Sequence, residues 1–261
     1  MERREVLLKC LGGAALALAP SKLLPTTETG NDRTREFYEL WEEACQSHTW
    51  FEDKRAYDLC LQALALAPEN LESRMRADII EKLGYLRESL EAAQQELARQ
   101  RKALKAEPQN PEKHFYLGFT LTRLGREEEA VAEYRLALEN PEGFCAHCYR
   151  DSWNNIGWYY YRQGMYREAL RWFERVCHLN DTGEFLQHYD GARAVENKLL
   201  AHSALGMTTE AEATTRDYIT RFGRVTWPAR RALAKIGLDA DAMYVEFQGR
   251  VKGYGSLFVD P

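Results

Sequence analysis

The sequence predicts an all-α chain, an α-α superhelix of about five helical hairpins, and three observations point there. First, apolar residues recur at helical spacing. Leu117, Gly118 and Leu121 stand at i, i+1 and i+4, and Ala130, Tyr134 and Ala137 at i, i+4 and i+7, so two successive helices each present one face. Second, the frame returns one unit later, with Gly157 in the place of Gly118 and Phe173 in the place of Tyr134. Third, the composition is 45% hydrophobic and 29% charged with eight prolines in 261 residues, which fits a folded chain and not a disordered or collagenous one. A formal charge of −5 leaves no basic surface large enough to dominate the field, so a nucleic-acid partner is not expected.

Residues 1–24 stand apart from this pattern. Arg3 and Arg4 precede an uncharged apolar stretch from Cys10 to Ala19 that is too short to span a bilayer, the layout of an export signal. The run Arg3-Arg4-Glu5-Val6-Leu7-Leu8-Lys9 resembles the bacterial twin-arginine motif, in which two arginines precede an apolar pair and a lysine. That resemblance implies export to the periplasm or extracytoplasmic side. Ala17-Leu18-Ala19 has the small-x-small form of a cleavage site, but Pro20 follows it directly and impedes cleavage, so a membrane-tethered form is a second expectation. A cytoplasmic chain that packs this segment on its repeats is the alternative. Residues 25–33 read as a polar linker.

Residues 34–248 carry the hairpins in order, and because one hairpin cannot bury both of its faces, neighbours stack and share a core. In Phe37 to Asn70, Ala44 and Ala56 hold the small positions of two helices, and Ala63-Leu64-Ala65-Leu66-Ala67-Pro68 closes the unit. Between Leu71 and Asn110, Ala77 and Gly84 read as a first helix and its turn, followed by a second helix from about Arg87 to Ala106, about two turns longer than the pattern requires. The clearest units are 111–144 and 150–183. There Gly118 and Gly157 let the second helix of the hairpin approach closely, and Tyr134 or Phe173 fills the space between. Gly125 and Gly164 fall where the first helix must end in a left-handed residue. Ala192 to Arg224 keeps Gly206 and Ala211 but has Leu199 and Thr215 where a small residue and an aromatic are usual, a degenerate repeat or cap. Trp227 to Gln248 reads as a capping helix or pair, and the glycine-rich tail 249–261 either docks in the groove or stays loose.

Trp153, Ile156, Gly157, Tyr160, Gly164, Tyr166, Ala169 and Phe173 follow W-x2-L-G-x2-Y and then G-x-Y-x2-A-x3-F, a spacing that resembles the tetratricopeptide repeat almost position by position. The resemblance covers about Phe37 to Arg224 and implies a non-enzymatic scaffold that binds a protein or peptide. In that family the first helices line a concave groove through positions two, five, nine and twelve. The corresponding residues are Glu112, Phe115, Phe119 and Thr122, then Asp151, Asn154, Trp158 and Tyr161, with Arg123 and Arg162 one step further. The resemblance thus implies a peptide-binding groove of Phe115, Phe119, Arg123, Asn154, Trp158, Tyr161 and Arg162, aromatic anchors with polar edges. The other reading of Tyr159, Tyr160, Tyr161 and Trp172 is that they fill the core between hairpins.

Gly118 and Gly157 are 39 residues apart, five more than the repeat period, and the excess falls between Asn140 and Arg150, around Cys145, His147 and Cys148. Antiparallel helices bring Val176-Cys177-His178 back to the level of Asp151 and Ser152, so three thiols and up to two imidazoles are expected at one end of the hairpin. Three readings are open. Cys145, Cys148 and Cys177 with His178 or His147 would hold a structural zinc; a disulfide within the C-x-x-C pair, or from it to Cys177, would suit an exported protein; or the thiols are buried as small apolar groups. A metal- or redox-responsive module on this cluster is the alternative to the scaffold. Cys45 and Cys60 fall on separate helices of the first hairpin as core positions, and His114, His188 and His202 stand alone. With no G-x-S-x-G, H-E-x-x-H or glycine-rich phosphate loop, no enzymatic activity is expected.

Overall fold

A computed structural model describes residues 31–69, 71–140, 144–181, 190–223 and 225–252. The twin-arginine-like segment, most of the linker, His188 and residues 253–261 lie outside the described residues. Every regular element among the described residues is a helix, so the all-α class expected from the sequence is the class observed. The chain divides into two units with the boundary between Leu90 and Glu91.

The first unit pairs α1 (Asn31–Thr49) with α2 (Asp53–Leu66), and the start of α3 (Ser73–Ala106) completes its core. Ala44, Ala56, Cys60 and Ala63 are fully buried, and small side chains along both faces leave room for Phe37, Ile79 and Leu86. Burial pushes the Cys60 thiol up to about 12 and raises Cys45 as well. Asp53, also buried, accepts a hydrogen bond of 2.8 Å from the Ser89 hydroxyl.

Gly84 does not end a helix. The turn and the separate helix from Arg87 that its position suggests are replaced by one continuous helix of 34 residues. The reason lies in the stripe that crosses it. Ile79, Leu83, Leu86, Leu90, Ala93 and Leu97 follow one another at alternating steps of four and three, and each is buried or half-buried. The helix therefore keeps one apolar face in phase on both sides of the glycine, and no cap residue competes with continuation. A single glycine weakens such a helix by only about 1 kcal/mol.

The second unit contains the rest of α3 and four hairpins: α4 (Pro111–Arg123) with α5 (Glu127–Glu139), α6 (Ala146–Arg162) with α7 (Tyr166–Asp181), α8 (Asp190–Ala204) with α9 (Thr208–Phe222), and α10 (Trp227–Lys235) with α11 (Ala240–Lys252). Asn110 caps α4 by accepting from the Lys113 amide, with Pro111 at the first position. Thr226 caps α10 in the same way. Gly125, Gly164 and Gly206 turn the first three of these hairpins at φ of 71°, 73° and 68°, the left-handed region a side chain disfavours.

The close approach expected at the two helical glycines is present. A Cβ on Gly118 would lie 2.9 Å from the Tyr134 ring, and one on Gly157 would lie 2.6 Å from Phe173. In α8 and α9 the sizes are reversed: Leu199 holds the glycine register, Thr215 holds the aromatic register, and both are fully buried. Thr215 satisfies its hydroxyl by donating to the Ala211 carbonyl at 2.7 Å. Among the described residues no helix is long and apolar enough to cross a membrane.

Candidate functional site

The groove residues named from the sequence divide into two groups. Phe115 is 6% exposed and packs in the core, its ring 5.9 Å from Tyr134 and 6.2 Å from Phe144. Asn154 is 5% exposed and accepts from the Asn197 amide at 3.0 Å, tying α6 to α8. Arg162 is largely buried and pairs with Glu127. Phe115 and Asn154 are thus internal where a groove lining was expected, because neighbouring helices cover the fifth position, while Arg162 is held in its ion pair.

The second group stays at the surface. Phe119, Arg123, Trp158 and Tyr161 are half-buried. Trp158 and Tyr161 stand one helical turn apart on α6 and stack nearly parallel, with ring centroids 5.0 Å apart and planes inclined by 9°. Tyr166, at the start of α7, meets the Tyr161 ring at 5.2 Å. Burial pushes the Tyr161 hydroxyl up to about 12. Phe119 holds the position of Trp158 one hairpin earlier. Trp158, Tyr160 and Tyr161 all pack in part against the core of Ala169, Leu170, Phe173 and Ala201, Tyr159 and Tyr160 pack against that of the preceding hairpin, and Arg135 donates to the Tyr160 hydroxyl.

Between the helices lie buried polar contacts, a seam of local pairs that residue-by-residue reading of the sequence misses. The Tyr134 hydroxyl meets Thr122 at 3.1 Å and accepts from Asn155 at 3.0 Å, and burial raises its pKa. Thr226 donates to the buried Glu196 at 2.7 Å. His114 and His202 do not stand alone. His114 is held between Glu133 at 2.6 Å and the Pro108 carbonyl at 2.9 Å, and His202 meets Thr214 at 3.1 Å. The signal that reveals the seam is register: Asn155 and Asn197 fall at corresponding positions of α6 and α8, where an apolar residue would suffice for packing alone.

The cysteine cluster does not form as a group. Cys145 and Cys148 are joined to each other, with Cα atoms 5.3 Å apart. Cys177 is outside the disulfide and packs with Ala192, Val195 and Tyr218. His178 is exposed. The zinc set of Cys145, Cys148, Cys177 and His178 is thereby corrected, and no group of three or more metal-ligating side chains occurs among the described residues. The reason is direction: Cys148 faces the preceding hairpin while Cys177 faces the following one. Much of the inserted segment is helix as well, since α6 starts at Ala146 with Cys145 as its cap residue.

Residues 112–179 match the tetratricopeptide repeat family. This match spans α4 to α7, so it includes both helical glycines, the half-buried aromatic residues and the joined cysteines. The chain is also similar to solved structures: a tetratricopeptide repeat protein from Parabacteroides merdae, at 18% identity over 85% of this chain and 81% of that one, with a TM-score of 0.45; PilW, described as a type IV pilus biogenesis factor, at 19% identity over 84% and 95%, TM-score 0.43; and MamA, at 15% identity over 78% and 97%, TM-score 0.42. No curated protein matches the chain. Against the tetratricopeptide pattern, the five extra residues and the C-x-x-C pair at the start of α6 are additions of this sequence.

Proposed function

We propose that the protein is a non-enzymatic scaffold that binds a protein or peptide segment on the face carrying Phe119, Trp158 and Tyr161. The observation that carries this reading is the stacked, half-buried Trp158–Tyr161 pair. Large aromatic rings held rigid by packing below and open above lose little entropy when a partner covers them, and such residues dominate binding energy at protein interfaces. Arg123, one step beyond the anchors, supplies the polar edge. The tetratricopeptide match over 112–179 supports the same reading. A disulfide suits an oxidising compartment, which favours the export reading of residues 1–24 over the cytoplasmic one.

The test is selection of peptides from a random library on the immobilised full chain, followed by affinity measurement on Trp158→Ala. Covering about 80 Å² of a tryptophan ring is worth about 2 kcal/mol at ~25 cal/mol/Å², so the variant should bind up to roughly thirtyfold more weakly. Its helical circular dichroism should be unchanged. Selected peptides that bind the variant with wild-type affinity would exclude this face, and a variant that loses its helix would assign Trp158 to the core.

A further inference from the structure

We propose that Cys145–Cys148 is an exchangeable redox disulfide, in which Cys145 is the sulfur attacked by a partner dithiol and Cys148 the buried sulfur that leaves and later re-forms the bond.

The placement of the bond separates this role from that of a structural staple. It joins residues three apart at the start of one helix, positions that helix geometry already holds within a turn of each other. It links no second helix and closes almost no loop, so it restrains the fold very little. Cys177, which a clamp between α6 and α7 would require, faces another hairpin.

The two sulfurs are also unlike. Cys148 is fully buried in the core made by Leu97, Phe115 and Tyr134, whereas Cys145 is half-buried and caps the helix. Cys145, half-buried on the edge of that same core, is thus the more exposed of the two sulfurs and the one an incoming thiolate meets first. The cap position further favours Cys145 as a thiolate: α6 has 17 residues, no acid in its first turn, and its first-turn amides point toward that end. The nearest acid along the helix, Asp151, is held by Arg150 at 3.0 Å.

The exchange runs in two steps. A partner thiolate attacks Sγ of Cys145, the Cys145–Cys148 bond breaks, and its electron pair leaves on Sγ of Cys148, which takes up one of the two protons the partner dithiol releases. The partner's second thiol, deprotonated, then attacks the partner sulfur of the mixed disulfide and expels Cys145 as a thiolate. Cys145 then takes up the second proton, so the partner dithiol loses two electrons and two protons and becomes a disulfide, and the protein becomes a dithiol. The steps are reversible.

The test uses the full chain in native buffer. Dithiothreitol at millimolar concentration serves as the dithiol probe, with acid quench, alkylation and peptide mass spectrometry. Reduction should be complete within minutes, no more than about tenfold slower than in urea-unfolded protein, with helical dichroism unchanged. Brief exposure to reduced glutathione followed by acid quench should trap the adduct on Cys145 at least tenfold more than on Cys148. Cys148→Ala, where it folds, should take up glutathione from its disulfide at Cys145, while Cys145→Ala should react at Cys148 at least tenfold more slowly. A bond that resists dithiothreitol until urea unfolds the chain, or adducts divided equally between the two sulfurs, would overturn the proposal. The wild-type trapping experiment decides the matter even where a variant fails to fold.

Discussion

Replacing Gly157 with alanine isolates the close approach of two helices from every other contribution of that residue. In a helix interior, glycine to alanine is favourable by about 1 kcal/mol. Here the new methyl would lie 2.6 Å and 2.9 Å from Phe173 ring carbons and 3.0 Å from Trp172 Cβ, distances that force α6 and α7 apart or turn the ring from its place. Overfilling of this kind costs about 1–3 kcal/mol, and a contact this short lies toward the upper end, so the net expectation is a loss of about 1–2 kcal/mol. At roughly 2–4 °C per kcal/mol for a unit of this size, the melting temperature should fall by roughly 2–8 °C. Gly84→Ala provides the internal reference. It lies in a helix, nothing beyond that helix's own backbone comes within 4 Å of the point an added Cβ would occupy, and the substitution should raise stability by about 1 kcal/mol. The assay is thermal and urea unfolding followed by circular dichroism for both variants. A second arm adds Phe173→Leu to Gly157→Ala: relief of the clash should appear as a coupling of about 1 kcal/mol or more in the double-mutant cycle. Should Gly157→Ala gain as much stability as Gly84→Ala, the close approach that organises this hairpin is not there.

Two further expectations follow from the buried positions of α8 and α9. Thr215→Phe alone sets two large side chains at one level beside Leu199 and should cost about 3 kcal/mol, whereas adding Leu199→Gly should recover part of that loss; equal melting points for the single and double variants would refute the reciprocal sizing. Burial, reinforced by Lys198 and opposed by Glu174 and Glu210, lowers the His202 pKa below 6.5, so the unfolded chain binds the proton more readily than the folded one. The stability this provides is complete above pH 6.5 and is lost as pH falls through the folded value, so the urea midpoint should drop between pH 7.5 and pH 5, and His202→Gln should flatten that drop. An unchanged slope in the variant would remove His202 as its source.

The residues that speak clearly in the sequence are those whose meaning is local or periodic. Gly118 and Gly157 announce their aromatic partners, and Gly125, Gly164 and Gly206 announce left-handed turns, because each depends on spacing within one hairpin. Gly84 misleads for the complementary reason: a glycine marks a turn only if the apolar stripe breaks with it, and the stripe from Ile79 to Leu97 does not break. The repeat pattern puts Phe115 and Asn154 at the surface because their position is usually open, but how far the next hairpin covers a position depends on the neighbour's side chains, which no single unit records. The cysteines part on angle and not on level. Antiparallel return sets the height of Cys177 along the helix, yet only the packed structure sets which neighbour it faces. The polar seam through Asn155 and Asn197 is legible only by comparing units at the same register.

The reversal of large and small between α8 and α9 bears on how such a chain can be recombined. Glycine in α4 or α6 belongs with tyrosine or phenylalanine in α5 or α7, and in the same register α8 has leucine and α9 threonine, both fully buried. A crossover inside a hairpin, joining α8 to α5, would oppose leucine to tyrosine, and the reciprocal product would oppose glycine to threonine; one chimera is crowded and the other hollow. Crossovers between hairpins keep each matched pair intact. The hairpin, and not the helix, is therefore the heritable module of this chain, and shuffled libraries cut between hairpins should yield folded members far more often than libraries cut at the glycine turns.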